Sequence, residues 1–254
     1  MRLIAAAAAA LAAFVFADGA VAAERPRCGV PDYLLFGESP LKRVSSVVAT
    51  QKRLQIAVVG TGSSALAGPD GPPSAYPARL ETVLSQRLSG VTVKVVTLLR
   101  TRLTAEDLAK GMDKLVADEK PNLVIWQTGT IDAIRRLDPD AFKSALEDGV
   151  ERLHRGGADV ILMNMQYSPR TETMIAVSPY ADVMRVVAQH FDTPLFDRLA
   201  IMRHWSESGT FDLYAAGRDN VLAQRVHDCI GRAIAALVIN AGKLPAGPAA
   251  QAGQ

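Results

Sequence analysis

The chain has few of the side chains that build metal sites. Its 254 residues include two cysteines and four histidines, and no acidic cluster stands at ligand spacing from any histidine. A zinc ion is usually held by three or four such ligands at short sequence spacing. We therefore predict no metal site.

The chain also lacks an excess of charge of one sign. The formal net charge is +2, and lysines and arginines are interleaved with aspartates and glutamates. Nucleic-acid-binding proteins concentrate basic residues on one surface, so we predict no nucleic-acid partner. Beyond the N-terminus no apolar run is long enough to cross a bilayer, which predicts no membrane association of the mature chain.

The N-terminus has the three parts of a secretory signal peptide. Met1-Arg2 is followed by the alanine-rich apolar run Leu3–Ala17 and by the small residues Ala20–Ala23. We predict that residues 1–23 are a signal peptide and that the mature protein is periplasmic or secreted. The alternative is a buried alanine-rich helix.

The two cysteines lie near opposite ends of the mature chain. Cys28 is close to its N-terminus and Cys229 belongs to the last predicted helix. In an oxidising compartment they could form a disulfide. The alternative is a pair of unpaired buried thiols, because sequence does not show whether the two residues meet.

Short apolar runs alternate with amphipathic stretches along residues 53–242. The predicted strands are Leu54–Val59, Thr92–Val96, Leu123–Gln127, Asp159–Asn164 and Pro194–Phe196. The predicted helices are Tyr76–Leu88, Ala105–Asp118, Ala141–Arg155, Tyr180–His190 and Asn220–Ala241. This alternation predicts a single α/β domain, a three-layer α/β/α sandwich with a central parallel sheet of about five strands. We expect residues 24–52 to form an N-terminal arm and residues 243–254 a disordered tail.

The segment Ile56–Gly68 is the most informative of the chain, because a predicted strand ends there in a turn that carries two adjacent serines. Gly60–Ala65 fits the G-x-G-x-x-G/A pattern of dinucleotide-binding proteins. Three prolines within residues 68–73 disfavour the long helix that this pattern requires, and no acidic residue ends the second strand. Nucleotide binding stays a minor alternative to a serine nucleophile.

Three segments resemble the sequence blocks of the SGNH/GDSL hydrolases. Gly62–Gly68 is similar to the first block, with Ser63 in place of its aspartate, and Leu123–Asp132 is similar to the third. Tyr76–Leu80 resembles the segment that opens the next helix in many secreted bacterial members. The resemblance implies the flavodoxin-like fold of this family and a cofactor-independent hydrolase. Its substrate would be a small-molecule or glycan ester, either a carbohydrate O-acyl group or a small carboxylic ester.

In this resemblance Ser64 corresponds to the nucleophile, and its own amide to part of the oxyanion hole. A helix N-cap is the other role that a serine commonly has at such a position. Ser63, Gly129, Thr130, Asn164 and Tyr167 are the candidate substrate-binding residues, because they follow strands whose carboxyl ends form the ligand-binding edge of such sheets.

Later blocks depart from the family pattern. Ile131 stands where the family has an asparagine that donates to the oxyanion. Asp212 matches the aspartate of the final Asp-x-x-His block, but Ala215 occupies the histidine position. His204 and His227 are the remaining candidate bases, although His227 beside an apolar stripe is also typical of a packed residue. The competing hypothesis is a non-catalytic protein of the same fold that binds a ligand or a cell-envelope partner. A histidine nitrogen in hydrogen-bond reach of Ser64 would favour the enzyme.

Overall fold

The computed structural model describes residues 28–35, 39–214 and 220–247. The expected signal peptide, residues 1–23, lies outside this part of the chain, as do the last seven residues.

Five parallel strands form one sheet. They are β1 Arg53–Gly60, β2 Thr92–Leu99, β3 Leu123–Gln127, β4 Asp159–Met163 and β5 Leu195–Phe196, in the order β2-β1-β3-β4-β5. All five residues of β3 are buried, as expected of a central strand covered on both faces. The strand order reverses between β1 and β3, and at such a point a crevice opens beyond the carboxyl ends of the strands.

Helices cover both faces of the sheet. Those described are α1 Asp32–Leu35, α2 Lys42–Gln51, α3 Gly71–Ser74, α4 Tyr76–Arg87, α5 Ala105–Ala109, α6 Met112–Glu119, α7 Thr130–Arg135, α8 Pro139–Arg155, α9 Pro169–Glu172, α10 Ser178–His190, α11 Arg198–Glu207 and α12 Val221–Ala241. One layer contains α2, α4 and α12, which contact one another or β1 and β2, and the other contains α5, α6, α8 and α10. The predicted α/β/α sandwich is confirmed.

The structure differs from the sequence-based expectation at three places. The single helix expected over 105–118 is two helices, and the first begins at a capping box between Thr104 and Asp107. The expected arm contains α2, which buries Val44, Val47 and Val48. The start of the expected tail is also held, because the Gly247 amide donates to the Arg87 carbonyl.

The disulfide between Cys28 and Cys229 is present, which confirms the pairing. Their Cα atoms are 5.4 Å apart across 201 residues of sequence. The bond joins the N-terminal arm to α12. Within the described ranges, no helix is both long and apolar enough to span a membrane.

Candidate functional site

The turn after β1 places Ser64 next to the carboxyl end of this strand, where it is buried. Gly62–Ser64 forms one short 3-10 turn, and the Ser64 side chain returns toward the end of the strand. A Cβ atom on Gly60 would lie 2.8 Å from the Ser64 hydroxyl oxygen, so only glycine leaves room for this approach. As a result Ser64 has no exposed surface.

The Ser64 hydroxyl has two hydrogen-bond partners, and neither is a base. The Tyr76 hydroxyl donates to its oxygen at 2.8 Å, and Ser64 donates to the Gln127 side-chain oxygen at 3.2 Å. Burial raises the pKa of Tyr76, so this phenol keeps its proton at neutral pH. A carboxamide oxygen does not take up a proton at that pH either. Activation of a serine needs an acceptor for its proton, and these two partners do not supply one.

The Gln127 oxygen joins the turn to β3. It accepts from the backbone N–H and the hydroxyl of Thr61, both at 2.9 Å. The Thr61 N–H can only donate, and it therefore fixes which end of the amide faces the turn. The Gln127 nitrogen points away from these donors, and it is buried without a partner among the described residues.

His227 lies close to this network but is engaged elsewhere. Its Nδ1 atom accepts a hydrogen bond from the backbone N–H of Tyr76 at 3.1 Å. Tyr76 is the first residue of α4, so its N–H has no partner within the helix. Burial, reinforced by the charge of Arg198, lowers the pKa of His227 to about 3. The imidazole is therefore neutral and caps a helix. In the part of the chain that the structure describes, no histidine nitrogen is hydrogen-bonded to Ser64.

The other candidates for the catalytic machinery lie elsewhere. His204 is half-buried in the last turn of α11. Asp212 is exposed and accepts the Tyr214 amide at 3.1 Å, and Ala215 lies outside the described residues. The structure brings neither His204 nor Asp212 into hydrogen-bond contact with Ser64.

Ser63 is half-buried, and its hydroxyl approaches the same Gln127 oxygen that Ser64 bonds. Its hydroxyl lies 3.3 Å from each of three polar atoms, which are the Thr61 hydroxyl, the Gln127 oxygen and the Nη1 atom of Arg198. All three distances exceed the roughly 2.7–3.0 Å of well-formed hydrogen bonds. The Ser63 hydroxyl is therefore loosely held.

Arg198 is the main charged group of the site. It is the first residue of α11, two residues after the end of β5, and only 1% of its surface is exposed. Its Nη2 atom donates to the Ser63 carbonyl at 3.1 Å and to the Gln166 side-chain oxygen at 3.2 Å, and its guanidinium lies 5.9 Å from the Tyr76 ring centre. Burial lowers the pKa of Arg198 to about 10, which leaves it charged at neutral pH.

The remaining rim candidates have contacts within the protein. Gly129 has a φ of +94°, and a Cβ atom there would lie 2.6 Å from the Met165 sulfur. The side-chain nitrogen of Asn164 donates to the Asp197 carboxylate at 2.7 Å, and its side-chain oxygen accepts the backbone N–H of Leu199 at 2.9 Å. Asn164 therefore holds the start of α11. Tyr167 is 7% exposed and packs under Arg203. Thr130 is half-buried at the start of α7, and its hydroxyl is buried without a partner among the described residues.

Sequence reasoning missed three residues that organise the site. Tyr76 and Gln127 fall in segments that the sequence comparison singled out, yet nothing in the sequence indicates that they bond Ser64. Arg198 could have been found from its place alone, since it lies two residues after a predicted strand and such positions line the ligand-binding edge.

Comparison with known proteins identifies the family of this chain. The model of the Non-GDSL lipase-like family matches residues 27–244. No curated protein matches the chain.

Several solved structures share the fold at low sequence identity. TesA is 23% identical, with a TM-score of 0.56 over 71% of this chain and 97% of its own. The acetylxylan esterase Axe2 from Geobacillus stearothermophilus is 20% identical, with a TM-score of 0.56 over 73% and 94%. The lipase/acylhydrolase from Enterococcus faecalis is 19% identical, with a TM-score of 0.54 over 72% and 93%.

Proposed function

We propose that this chain, which belongs to the Non-GDSL lipase-like family, keeps the fold of a hydrolase but has lost catalysis. We propose further that it binds a ligand at the carboxyl edge of its sheet. The observation that carries this proposal is the environment of Ser64. Its hydroxyl has no exposed surface and is bonded only to a phenol and an amide. A hydrolase of this kind needs a nucleophile that reaches substrate and a base beside it.

Two family positions and one candidate base support the same proposal. Ile131 offers no side-chain donor to an oxyanion, Ala215 offers no imidazole, and His227 uses Nδ1 to cap α4. Loss of one oxyanion donor alone typically lowers the rate by two to three orders of magnitude. A site without donor and base has little of the usual transition-state stabilisation left.

A second candidate, a slow ester hydrolase, is supported by the family match over residues 27–244 and by the place of Ser64 just beyond β1. Ser64 would be the nucleophile, His227 or His204 the base, with Asp212 to orient it. The substrate would be a carbohydrate O-acyl group or a small carboxylic ester. This candidate requires Ser64 to leave its bond with Tyr76 and a histidine to approach it.

Ester turnover separates the two candidates. We expect purified protein to release no more p-nitrophenol from acyl p-nitrophenyl esters, and no more acetate from acetylated glycans, than its Ser64→Ala variant. Turnover that depends on Ser64 would reject the non-catalytic proposal.

We also propose that the protein is exported. The N-terminal pattern of residues 1–23 and the Cys28–Cys229 disulfide support this, since disulfides persist in oxidising compartments. Export is tested by fractionation of cells and by N-terminal sequencing of the mature chain, and full-length protein in the cytosol would contradict it.

A further inference from the structure

Arg198 is a buried cation without an acidic partner. No described carboxylate forms a salt bridge with it, and its three hydrogen bonds go to neutral oxygens of Ser63 and Gln166. The nearby Asp197 is engaged with Asn164, the Ala200 amide and Arg185. Proteins rarely bury a charge in this way, because desolvation is costly and neutral acceptors only partly compensate for it.

The side chains that cover the Arg198 guanidinium can be displaced. Ser63 is half-buried, and its hydroxyl makes only contacts of 3.3 Å. Gln166 is an exposed residue, so its side chain can exchange its bond with Arg198 for bonds with water. Rotation of these two side chains would free Nη1 and one of the two bonds of Nη2, which keeps its bond to the Ser63 carbonyl.

Two side chains next to Ser63 each carry a buried donor atom that is not hydrogen-bonded to any described residue. The Nε atom of Arg198 and the Nε2 atom of Gln127 are buried without a partner among the described residues. Arg198 contacts the Ser63 hydroxyl through Nη1 and Gln127 contacts it through Oε1, so the two unpaired donors belong to side chains that adjoin Ser63. Buried donors are normally satisfied, and an excess of donors calls for an acceptor from outside the chain. Water would supply an acceptor, whereas an anion would also compensate the charge.

We propose that this site binds an oxyanion group, a carboxylate or a phosphate, which contacts Arg198 in place of the side chains of Ser63 and Gln166. The guanidinium suits such groups because its planar N–H groups can bind two oxygens at once. The inference rests on the proposed binding function and names the chemical class of its ligand. It predicts that the ligand's acidic group lies inward, against Arg198, and that the rest of the ligand extends toward solvent.

Thermal unfolding in the presence of anions tests this site. The wild-type protein is titrated with sodium acetate and with sodium phosphate, with sodium chloride adjusted to hold ionic strength constant. An anion that binds only the folded state raises the melting temperature. We expect a saturable rise with at least one of the two, and which one acts identifies a carboxylate or a phosphate ligand. No saturable rise with either anion would overturn the proposal.

Two variants of α11 separate Arg198 from general salt effects. Arg198→Met should abolish the saturable rise, and its unliganded melting temperature should equal or exceed that of the wild type, because it removes an uncompensated charge. Arg203→Met, which removes a more exposed arginine paired with Glu172, should keep the rise. An equal rise in Arg198→Met would overturn the proposal.

Ser63→Ala supplies an independent test if Arg198→Met does not fold. Without the Ser63 hydroxyl the anion has one fewer contact to displace, so half-saturation should occur at a several-fold lower anion concentration. An unchanged or higher half-saturation would contradict the proposed exchange. If no anion binds and no ester is hydrolysed, the proposed binding function stands but its ligand is neutral. If an ester is hydrolysed, the binding function itself is rejected.

Discussion

Two clusters of polar side chains meet at the turn Gly62–Ser64, and they differ in how completely they are buried. The inner network contains Tyr76, Ser64, Gln127 and His227, is buried, and connects α4, β1, β3 and α12. The outer cluster contains Ser63, Arg198 and Gln166 and reaches solvent through Ser63 and Gln166. Its contacts are 3.1–3.3 Å long, whereas those of the inner network begin at 2.8 Å.

The two adjacent serines of this turn have different roles. Ser64 has the sequence position of a hydrolase nucleophile, but its partners make it part of the packing between the first strand and its helix. Ser63 has the position of the family aspartate, yet it is the partly exposed serine and its hydroxyl contacts the charged Arg198. A buried polar network that is mostly satisfied stabilises the fold, whereas a loosely bonded one can exchange partners with a ligand.

The largest expected effect is on the inner network. Ser64→Ala should lower the free energy of unfolding by about 2 kcal/mol, because it leaves the buried Tyr76 hydroxyl without its acceptor. Adding Tyr76→Phe should recover part of that loss, since the double variant leaves no unpaired phenol. Urea unfolding of the two single variants and the double variant measures the coupling.

If Ser64 is instead a catalytic nucleophile, we expect a different result. Active-site residues are often held at a cost in stability, so their replacement tends to be neutral or stabilising. A Ser64→Ala protein as stable as the wild type, with additive effects of the two substitutions, would contradict the structural role of Ser64.

The next effect depends on pH and concerns His227. Its folded-state pKa of about 3 lies below the ordinary value of 6.5, so the unfolded chain takes up a proton first as the pH falls. The stability from this residue is therefore fully present above about pH 6.5 and is lost as the pH falls toward 3. Between pH 7 and pH 5 the loss should be roughly 2 kcal/mol.

His227→Gln is the matched control for that prediction. Its amide oxygen can accept the Tyr76 N–H, and it does not titrate. The difference in unfolding free energy between the two proteins should change with pH as described, while the shared contribution of other groups, such as His154, cancels. Parallel pH profiles for the two proteins would show that His227 does not have the lowered pKa.

The smallest expected effect is on the outer cluster. Ser63→Ala should change the free energy of unfolding by less than about 0.5 kcal/mol, because it removes only long contacts of a half-buried hydroxyl. The same urea unfolding measurement as for Ser64→Ala gives the direct comparison. A loss as large as that of Ser64→Ala would remove the distinction between the two groups.

Much of the fold could be predicted from the sequence. The bounds of β3, Leu123–Gln127, equal the predicted ones because a short apolar run before a glycine turn has no competing interpretation. The helices α2, α7 and α11 were not predicted. They are short or lie in segments whose polarity resembles that of loops, and their formation depends on tertiary contacts such as the Asn164 bonds that hold the start of α11.

The site was less accessible to sequence reasoning. Serine after the first strand predicts a nucleophile or a cap, and the choice depends on whether Tyr76, twelve residues away, turns its hydroxyl toward Ser64. Burial of Arg198 is likewise a property of the folded chain. An arginine after a strand is usually exposed, and only the packed structure shows that this one lies under Ser63 and Gln166.

Labelling with a fluorophosphonate probe, followed by peptide mapping, tests the central claim most directly, since such probes react with activated serines. We predict no labelling of Ser64 or Ser63 in the native wild-type protein beyond the level of a Ser63→Ala, Ser64→Ala double variant. A covalent adduct on Ser64 that Ser64→Ala removes and Ser63→Ala retains would contradict it, and would show that Ser64 is an active nucleophile.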